Sequence, residues 1–338
     1  MYRLVVPKKN IGDASVTGFY MNIIKEACEY NKEVCKICDL NFSGNKKEDT
    51  IIVDDILQAF KFFFKGYKKI FLWVQGVIPE ESYMRNQSKL RFFILSQIEK
   101  YVLKKCKLIF MCSEEMREHY KRKYKLCLKN NTFIMPCFNE ENINESAFDS
   151  LDKYKENNFL YVGSIKKWQC FDEIVKIYKK LEEITDKKIK LNVFTGQQEE
   201  AKKIIEKMRI KNYSISYASS DELSEKIRNM KYGFVIREDS IVNNVATPTK
   251  FSNYISNGII PIYSSSLVDF YTQDLMYKTG IVFDLKNEDE GIKRVMKNME
   301  LEINNNEMKK KCEMWYLEYY NKNKYIVNIA KKIKELKD

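Results

Sequence analysis

Tyr232-Gly233-Phe234-Val235-Ile236 is followed by a polar run from Arg237 to Thr247, then by Pro248-Thr249-Lys250-Phe251-Ser252-Asn253-Tyr254-Ile255-Ser256-Asn257-Gly258, and then by Ile259-Ile260-Pro261-Ile262-Tyr263. The two apolar runs have the length of fully buried strands and are too short for helices. Between them, Pro248 suits a first helical turn, where its missing N–H has no partner in any case, and Gly258 suits the left-handed residue that ends a helix. Buried strands joined through a helix run parallel, because a tight turn can only reverse the chain. The stretch is therefore a β–α–β unit whose polar loop lies at a strand's carboxyl end, where open α/β sheets hold ligands.

The same alternation runs outward in both directions. On the N-terminal side, strands are expected at Tyr2 to Pro7, Val34 to Asp39, Thr50 to Val53, Lys69 to Val74, Leu108 to Cys112 and Thr132 to Pro136, with helices at Gly18 to Tyr30, Ile56 to Phe64, Lys89 to Lys105 and Glu114 to Tyr124. Asn139 to Asn158 holds six acids against two lysines without an apolar period, and reads as a linker. A second series follows: strand Phe159 to Val162, helix Phe171 to Ile184, strand Ile189 to Phe194, helix Glu199 to Met208, strand Tyr213 to Tyr217 and helix Asp221 to Met230. Strand Gly280 to Phe283 and helix Glu288 to Met299 complete it, and Asn306 to Lys337 reads as helical throughout, its Trp315, Tyr316, Tyr319 and Tyr320 forming a core-packing stripe. Two doubly wound α/β domains facing a cleft are expected: residues 1–150, completed by a C-terminal helix of about 318–338, and residues 151–317.

Composition agrees with a globular chain. Of 338 residues, 44% are hydrophobic and 31% charged, and 11 Gly with 5 Pro exclude collagenous and low-complexity classes. The net charge of +12 leaves nucleic acid, anionic lipid or a phosphorylated small molecule as partners, although the abundance of Lys, Asn, Ile and Tyr is also what AT-rich codons favour. Location decides: residues 85–129 hold thirteen Lys or Arg against four acids, and with Phe92 and Phe93 could rest on an anionic membrane. Nine Cys, no apolar run long enough to span a bilayer, and an N-terminus that reads as a strand point to reduced thiols in a cytoplasm. Cys35 and Cys38 lie on a strand and face opposite sides, and with a single His the chain is expected to hold no metal.

Chemistry is expected just after the strands. Asn10 to Gly18, with Ser15 and Thr17, offers backbone N–H groups to an anion or a sugar hydroxyl; no Gly-Lys-Ser/Thr follows, so it is not a P-loop. Gly163-Ser164-Ile165-Lys166-Lys167-Trp168-Gln169 is a small turn with two lysines suited to a diphosphate. Lys250 in a first helical turn opposes the helix dipole, which suggests an anionic ligand that both bind. Tyr217 with Ala218 and Ser219, at another strand end, could stack on a base.

Tyr161-Val162-Gly163-Ser164 with Lys167-Trp168-Gln169, then Asn244-Val245-Ala246-Thr247-Pro248-Thr249-Lys250-Phe251 with Asn253-Tyr254 and Gly258-Ile259-Ile260-Pro261-Ile262, resembles the donor half of retaining glycosyltransferases of the GT-B fold, in the broad family-4-like group that builds bacterial surface polysaccharides. Trp73-Val74-Gln75-Gly76-Val77-Ile78-Pro79-Glu80 and Ile109 to Met116 sit where such enzymes place acceptor-side loops. The resemblance implies a metal-independent hexosyltransferase that needs no cofactor and uses a nucleotide-sugar as donor and a glycan or lipid-linked acceptor. The thiols and the basic segment lead to the expectation of a cytoplasmic protein that could lie peripherally at the inner face of the plasma membrane. Lys167 and Lys250 would hold the diphosphate, helped by N–H groups near Thr247 and Thr249; Tyr217 to Ser219 would border the base; Gln75 would contact the sugar, and Gly76 and Glu80 the acceptor. The family's paired glutamates would fall at Val245 and Asn253 and are absent, which moves interest to Asn243, Asn244 and Glu238. His119, on the charged helix Glu114 to Tyr124, is expected at the surface.

Two rivals stand beside this reading. A sugar-nucleotide epimerase of the same fold would need acid–base carboxylates and His in its site, against which a single His argues. A basic nucleic-acid-binding protein would use residues 85–129, but no RNP or KH module is present, and no nucleic-acid partner is expected.

Overall fold

The computed structural model describes residues 1–6, 16–150 and 152–336. The end of the expected first strand at Pro7 and the loop through Ser15 lie outside the described residues. The chain forms two compact units: unit 1 comprises Met1–Asn139, Asn244–Thr247 and Asn321–Asp338, and unit 2 comprises Glu140–Asn243 and Pro248–Tyr320.

Unit 1 contains β1 (Tyr2–Val5), α1 (Val16–Tyr30), β2 (Cys35–Cys38), β3 (Thr50–Val53), α2 (Ile56–Phe64), β4 (Ile70–Val74), α3 (Ile78–Asn86), α4 (Lys89–Lys105), β5 (Leu108–Met111), α5 (Glu114–Tyr124) and β6 (Thr132–Ile134). Its sheet has the order β2-β1-β3-β4-β5-β6 with every pairing parallel, so the strand order reverses beside β1. The apolar runs form the central strands because both faces are covered: every residue of β4 and β5 is buried.

Unit 2 contains β7 (Asn157–Val162), α6 (Phe171–Ile184), β8 (Ile189–Phe194), α7 (Gln198–Lys207), β9 (Tyr213–Ser216), α8 (Ser220–Ile227), β10 (Tyr232–Val235), α9 (Ile241–Asn244), α10 (Lys250–Ser256), β11 (Ile260–Tyr263), α11 (Val268–Tyr277), β12 (Ile281–Val282), α12 (Glu288–Met299) and α13 (Asn305–Glu318). The last helix, α14 (Lys322–Glu335), returns to unit 1. The second sheet has the order β12-β11-β10-β7-β8-β9, again all parallel, and its order reverses between β7 and β10. This is the doubly wound arrangement, and the reversal is the position at which such sheets bind ligands.

Four parts of the chain differ from the sequence reading. The segment read as a linker is folded into unit 2: Ala147, Phe148, Lys153 and Tyr154 are buried, and Lys153 Nζ donates to the carbonyls of Ala147 and Asn257 while Tyr154 donates to Gly258 O at 2.7 Å. Its acids hid this, because the anchoring groups are polar and show no apolar period. Helices α3 and α11 were also missed; each buries only two residues, Pro79 and Ser82 in one and Phe270 and Asp274 in the other, so neither carries a periodic stripe. The terminal helix is broken after Glu318, where Asn321 caps a new helix by accepting from Lys324 N–H. The expected aromatic stripe is core: Trp315, Tyr316 and Tyr320 are buried, Trp315 stacks on Phe270 at 4.8 Å, and Phe270 stacks on Phe251 of α10 at 3.4 Å.

Candidate functional site

Unit 2 brings its site together at the reversal between β7 and β10. Helix α10 is buried along its whole length and is fixed there by the aromatic stack and by Tyr254, whose ring lies so close over Gly233 that a Cβ would meet it at 2.4 Å. Lys250 opens this helix and is only 9% exposed. Its Nζ donates to Gln169 Oε1 at 2.7 Å and lies 4.3 Å from the centre of the Tyr161 ring. Gly163, at φ +132°, makes room: a Cβ there would meet Lys250 Cε at 2.9 Å.

Arg237, directly after the buried strand β10, is the second cation and is 4% exposed. Its guanidinium donates to the same Gln169 Oε1 at 2.5 Å, to Gln169 O at 3.1 Å and to Ile236 O at 2.8 Å. Burial, and then the neighbouring Arg237 charge, hold the Lys250 amine well below its ordinary value, and burial also lowers Arg237. Among the described residues, neither cation forms an ion pair; their shared partner is one neutral amide oxygen. Two buried positive charges without a counter-charge are costly, and a bound anion would relieve both.

The other expected donor-side residues divide by place. Lys166 and Lys167 are exposed on the turn that carries Gln169, with Lys166 Nζ 5.2 Å above the half-buried Trp168 ring. Ser164 accepts the Tyr161 hydroxyl through its carbonyl at 2.6 Å. Tyr217 is 59% exposed after the edge strand β9, Ala218 is half-buried, and Ser219 caps α8 in a capping box with Glu222. Glu238 is exposed and its carbonyl receives Asn243 Nδ2 at 2.9 Å, so buried Asn243 holds the loop. Thr249 stands at the N-cap of α10 without a side-chain cap, and α10 begins at Lys250 rather than Pro248. Asn253 is 7% exposed, and its Oδ1 has no hydrogen-bond partner. Asn244 and Thr247 belong to unit 1, where Thr247 Oγ1 accepts from Cys137 N–H at 2.9 Å and Val245 O accepts from Ser113 Oγ at 2.7 Å.

In unit 1, Thr17 and Gly18 lie in the first turn of α1. Gln75 and Gly76 follow β4 and help line a cavity of about 450 Å³ with Asp54, Asp55, Gln58, Trp73 and Glu81. Glu80 points elsewhere, and His119 corrects the surface expectation: it is 7% exposed and its Nε2 lies 3.1 Å from Glu80 Oε1. Lys123 joins Glu80 at 2.8 Å and the buried Glu99 at 3.0 Å, so these groups form an internal charge network. Burial raises the Glu80 carboxyl, but the bonds from His119 and Lys123 outweigh it and leave the group below its usual range. The charge pattern of α5 concealed an inward face made of Met116, His119, Tyr120 and Tyr124.

The basic segment is also reapportioned. On α5, Arg117 pairs with Glu114, Arg122 with Glu115 and Lys121 with Glu118. Among the described residues, the cations of α4 form no ion pair, and neither do Arg85, Lys107, Lys125 and Lys129; those of α4 are accompanied by Leu90, Phe93 and Ile94, which are 71%, 60% and 49% exposed. Phe92 turns inward against Tyr83. All nine cysteines are free thiols. Among the described residues, no group of three His, Cys, Asp or Glu is placed to hold a metal ion, and no helix is long and apolar enough to cross a membrane. A larger cavity, about 790 Å³, is lined by Asn157, Lys187 and Lys231 at the amino ends of the strands of unit 2, away from the end at which such sheets bind ligands.

Arg237 and Gln169 are the site residues that sequence reasoning left without a role. The available signal for Arg237 was its position, a cation immediately beyond a buried strand. No protein-family model matches the chain, and no curated protein matches it. Solved structures do. WaaG, described as a glycosyltransferase involved in lipopolysaccharide biosynthesis, is similar with a TM-score of 0.67 at 10% identity, over 97% of this chain and 99% of that one. Sucrose-phosphate synthase from Thermosynechococcus elongatus gives 0.66 at 12% identity, over 99% and 98%. S. aureus TarM, solved as a G117R mutant in complex with fondaparinux, α-GlcNAc-glycerol and UDP, gives 0.62 at 11% identity over 86% of this chain; the chain spans 56% of the TarM chain. What is shared at these identities is the fold, GT-B, built from two Rossmann-like units.

Proposed function

We propose that the protein is a glycosyltransferase that moves a sugar, with retention, from a nucleotide-sugar donor to a glycan or lipid-linked acceptor in the synthesis of a bacterial surface polysaccharide or glycoconjugate. One observation carries the reading: Lys250 and Arg237, both buried, converge on a single neutral oxygen of Gln169 at the strand-order reversal of a doubly wound sheet. That arrangement suits a compact, multiply charged anion, and the diphosphate of a sugar nucleotide is such a group. The fold shared with WaaG and TarM supports the same reading.

Negative charge develops on the nucleoside diphosphate as the glycosidic bond breaks, so cations fixed beforehand at the phosphates stabilise the transition state more than the ground state. Lys250 and Arg237 do this from buried positions, where the low dielectric strengthens the attraction. Lys166 and Lys167 add charge from the exposed turn. Gln75 contacts the sugar, and the acceptor hydroxyl passes its proton to the departing phosphate.

The exposed apolar side chains of α4, flanked by Lys89, Arg91 and Lys100, support docking on an anionic membrane that carries the acceptor. The deciding experiment is thermal stabilisation by a panel of UDP, GDP, dTDP and CMP sugars, because a ligand that binds only the folded state raises the melting point. Stabilisation by one nucleotide class, lost in Lys250→Ala, is expected; indifference to the whole panel overturns the proposal.

A further inference from the structure

Strands β10, β7 and β8 lie side by side in unit 2, and their amino ends bring several polar residues together. Lys231 stands immediately before β10 and its N–H donates to Asn158 O at 3.1 Å, while Asn157 and Asn158 of β7 lie in register with Ile189 and Lys190 of β8. With the segment that ends α12, these strand starts line the cavity of about 790 Å³, a volume in the range of small-molecule sites.

Among the described residues, the wall carries five lysines against three glutamates. Two of the lysines are neutralised: Lys187 pairs with Glu300 at 2.8 Å, and Lys155 pairs with Asp152 at 2.6 Å. Of the other acids, Glu156 accepts from Asn158 Nδ2 at 2.9 Å and Glu302 is exposed. Lys188, Lys190 and Lys231 form no ion pair among the described residues.

Lys231 decides the reading. It is 2% exposed, and its Nζ donates to a neutral partner, Asn157 Oδ1, at 3.1 Å. Burial, then the Lys187 charge, lower the amine to about 8, and Glu300 offsets only part of this. Asn157, Lys187 and Glu300, the groups that act on this amine, all belong to the cavity wall. A lysine amine taken out of water without a counter-charge carries a cost that a bound anion removes. The same wall has an apolar part, made of Ile189, Met299, Ile303 and Leu301, the last 53% exposed.

We propose that this cavity is a second ligand site, for a small organic phosphate whose phosphoryl group meets Lys231, Lys188 and Lys190 and whose apolar body lies against Met299 and Leu301. Three cations suit a dianion better than a singly charged carboxylate, and lysine binds phosphate as a point charge. The site goes beyond the transferase reading and does not depend on it. Arg237 stands past the opposite end of β10, and six residues of strand span about 20 Å, so one small phosphate cannot touch both Lys231 and Arg237.

Calorimetric titration of the full chain at low salt with phenyl phosphate, inorganic phosphate and benzoate tests this. Phenyl phosphate is expected to bind about tenfold more tightly than either of the others, since inorganic phosphate lacks the apolar body and benzoate lacks the second charge. Lys231→Met should weaken phenyl phosphate about tenfold, the worth of one charge-assisted hydrogen bond. The double variant Lys188→Gln with Lys190→Gln leaves the buried amine in place, and should weaken binding while keeping the native melting point. Lys250→Ala should bind phenyl phosphate as the wild type does. Benzoate binding as tight as that of phenyl phosphate, or phenyl phosphate binding undiminished in both lysine variants of this cavity, overturns the inference. Loss of binding in Lys250→Ala does so too, because it places the phosphate at the other site. If the nucleotide panel stabilises the protein while phenyl phosphate does not bind, the transferase reading stands and this site falls; if phenyl phosphate binds as expected while no nucleotide does, the reverse holds.

Discussion

A lysine amine and an arginine guanidinium sharing one amide oxygen, both removed from water, are held at a standing electrostatic cost set first by burial and then by each other's charge. Replacing Lys250 by Ala removes one charge-stabilising group, and turnover of the donor is expected to fall by about a hundredfold or more, read as kcat in a nucleotide-release assay. The depressed amine adds a second expectation. A diphosphate favours the charged form, so the nucleoside diphosphate that stabilises the protein most should bind with net proton uptake, seen as a calorimetric enthalpy that changes with the ionisation enthalpy of the buffer. The Lys250→Met variant should show less uptake, and identical uptake in both proteins would remove Lys250 from the site. Lys250 was legible in the sequence because a cation at a helix start conflicts with the dipole. Its convergence with Arg237 was not: Arg237 follows an apolar strand, and no sequence period records which strand ends meet at the reversal of a sheet.

Elements were legible where one face is apolar and the period clear. Helices α2, α4, α5, α6 and α12 fall on the residues that periodicity indicates, and the strands differ only at their ends. The folded segment before β7 was not legible, because polar bonds to backbone anchor it. There, Lys153 is 3% exposed and donates to the carbonyls of Ala147 and of Asn257, the C-cap of α10, and burial lowers its amine to about 7. Lys153→Met leaves carbonyls unsatisfied and should destabilise the protein by about 1–3 kcal/mol. The sign of the pH effect follows from protons bound: between pH 7 and about 10.4 the unfolded chain holds a proton that the folded chain has lost, so wild-type stability rises with pH. The deficit of Lys153→Met should therefore widen from pH 7 to pH 10 in urea melts. Helix α4 carries a further expectation. Wild-type protein should sediment with anionic but not neutral vesicles at low salt, and Phe93→Asp with Ile94→Asp should abolish this; equal sedimentation with both lipids would remove the membrane surface.

At the level of the whole molecule, the doubly wound topology of both halves was legible from alternation alone, and the last helix, expected over about 318–338, joins unit 1 as residues 321–338. The start of unit 2 at Glu140, where the sequence reading has 151, and the place of residues 244–247 in unit 1 carry no signal in the periodicity. Helix α14 buries Ile326, Ile329, Ala330 and Ile333, and Asn31 Nδ2 donates to Ala330 O at 2.7 Å. Three isoleucines at about 1.5–3 kcal/mol each approach the whole stability of a domain. A chain ending at Tyr320 should therefore expose α1 to protease, with cleavage between residues 16 and 30, while residues 157–300 remain resistant; an unchanged digestion pattern would show that α14 is dispensable.

That discontinuity fixes an order of events at the ribosome. Residues 1–139 emerge first, yet the helix that completes their core emerges last, after residues 140–320. At about 5–20 residues per second, the nascent half waits on the order of ten to forty seconds with the apolar side of α1 uncovered. A trigger-type chaperone that shields that face during elongation would raise the soluble yield, and moving the α14 sequence ahead of β1 by circular permutation would make the shielding unnecessary.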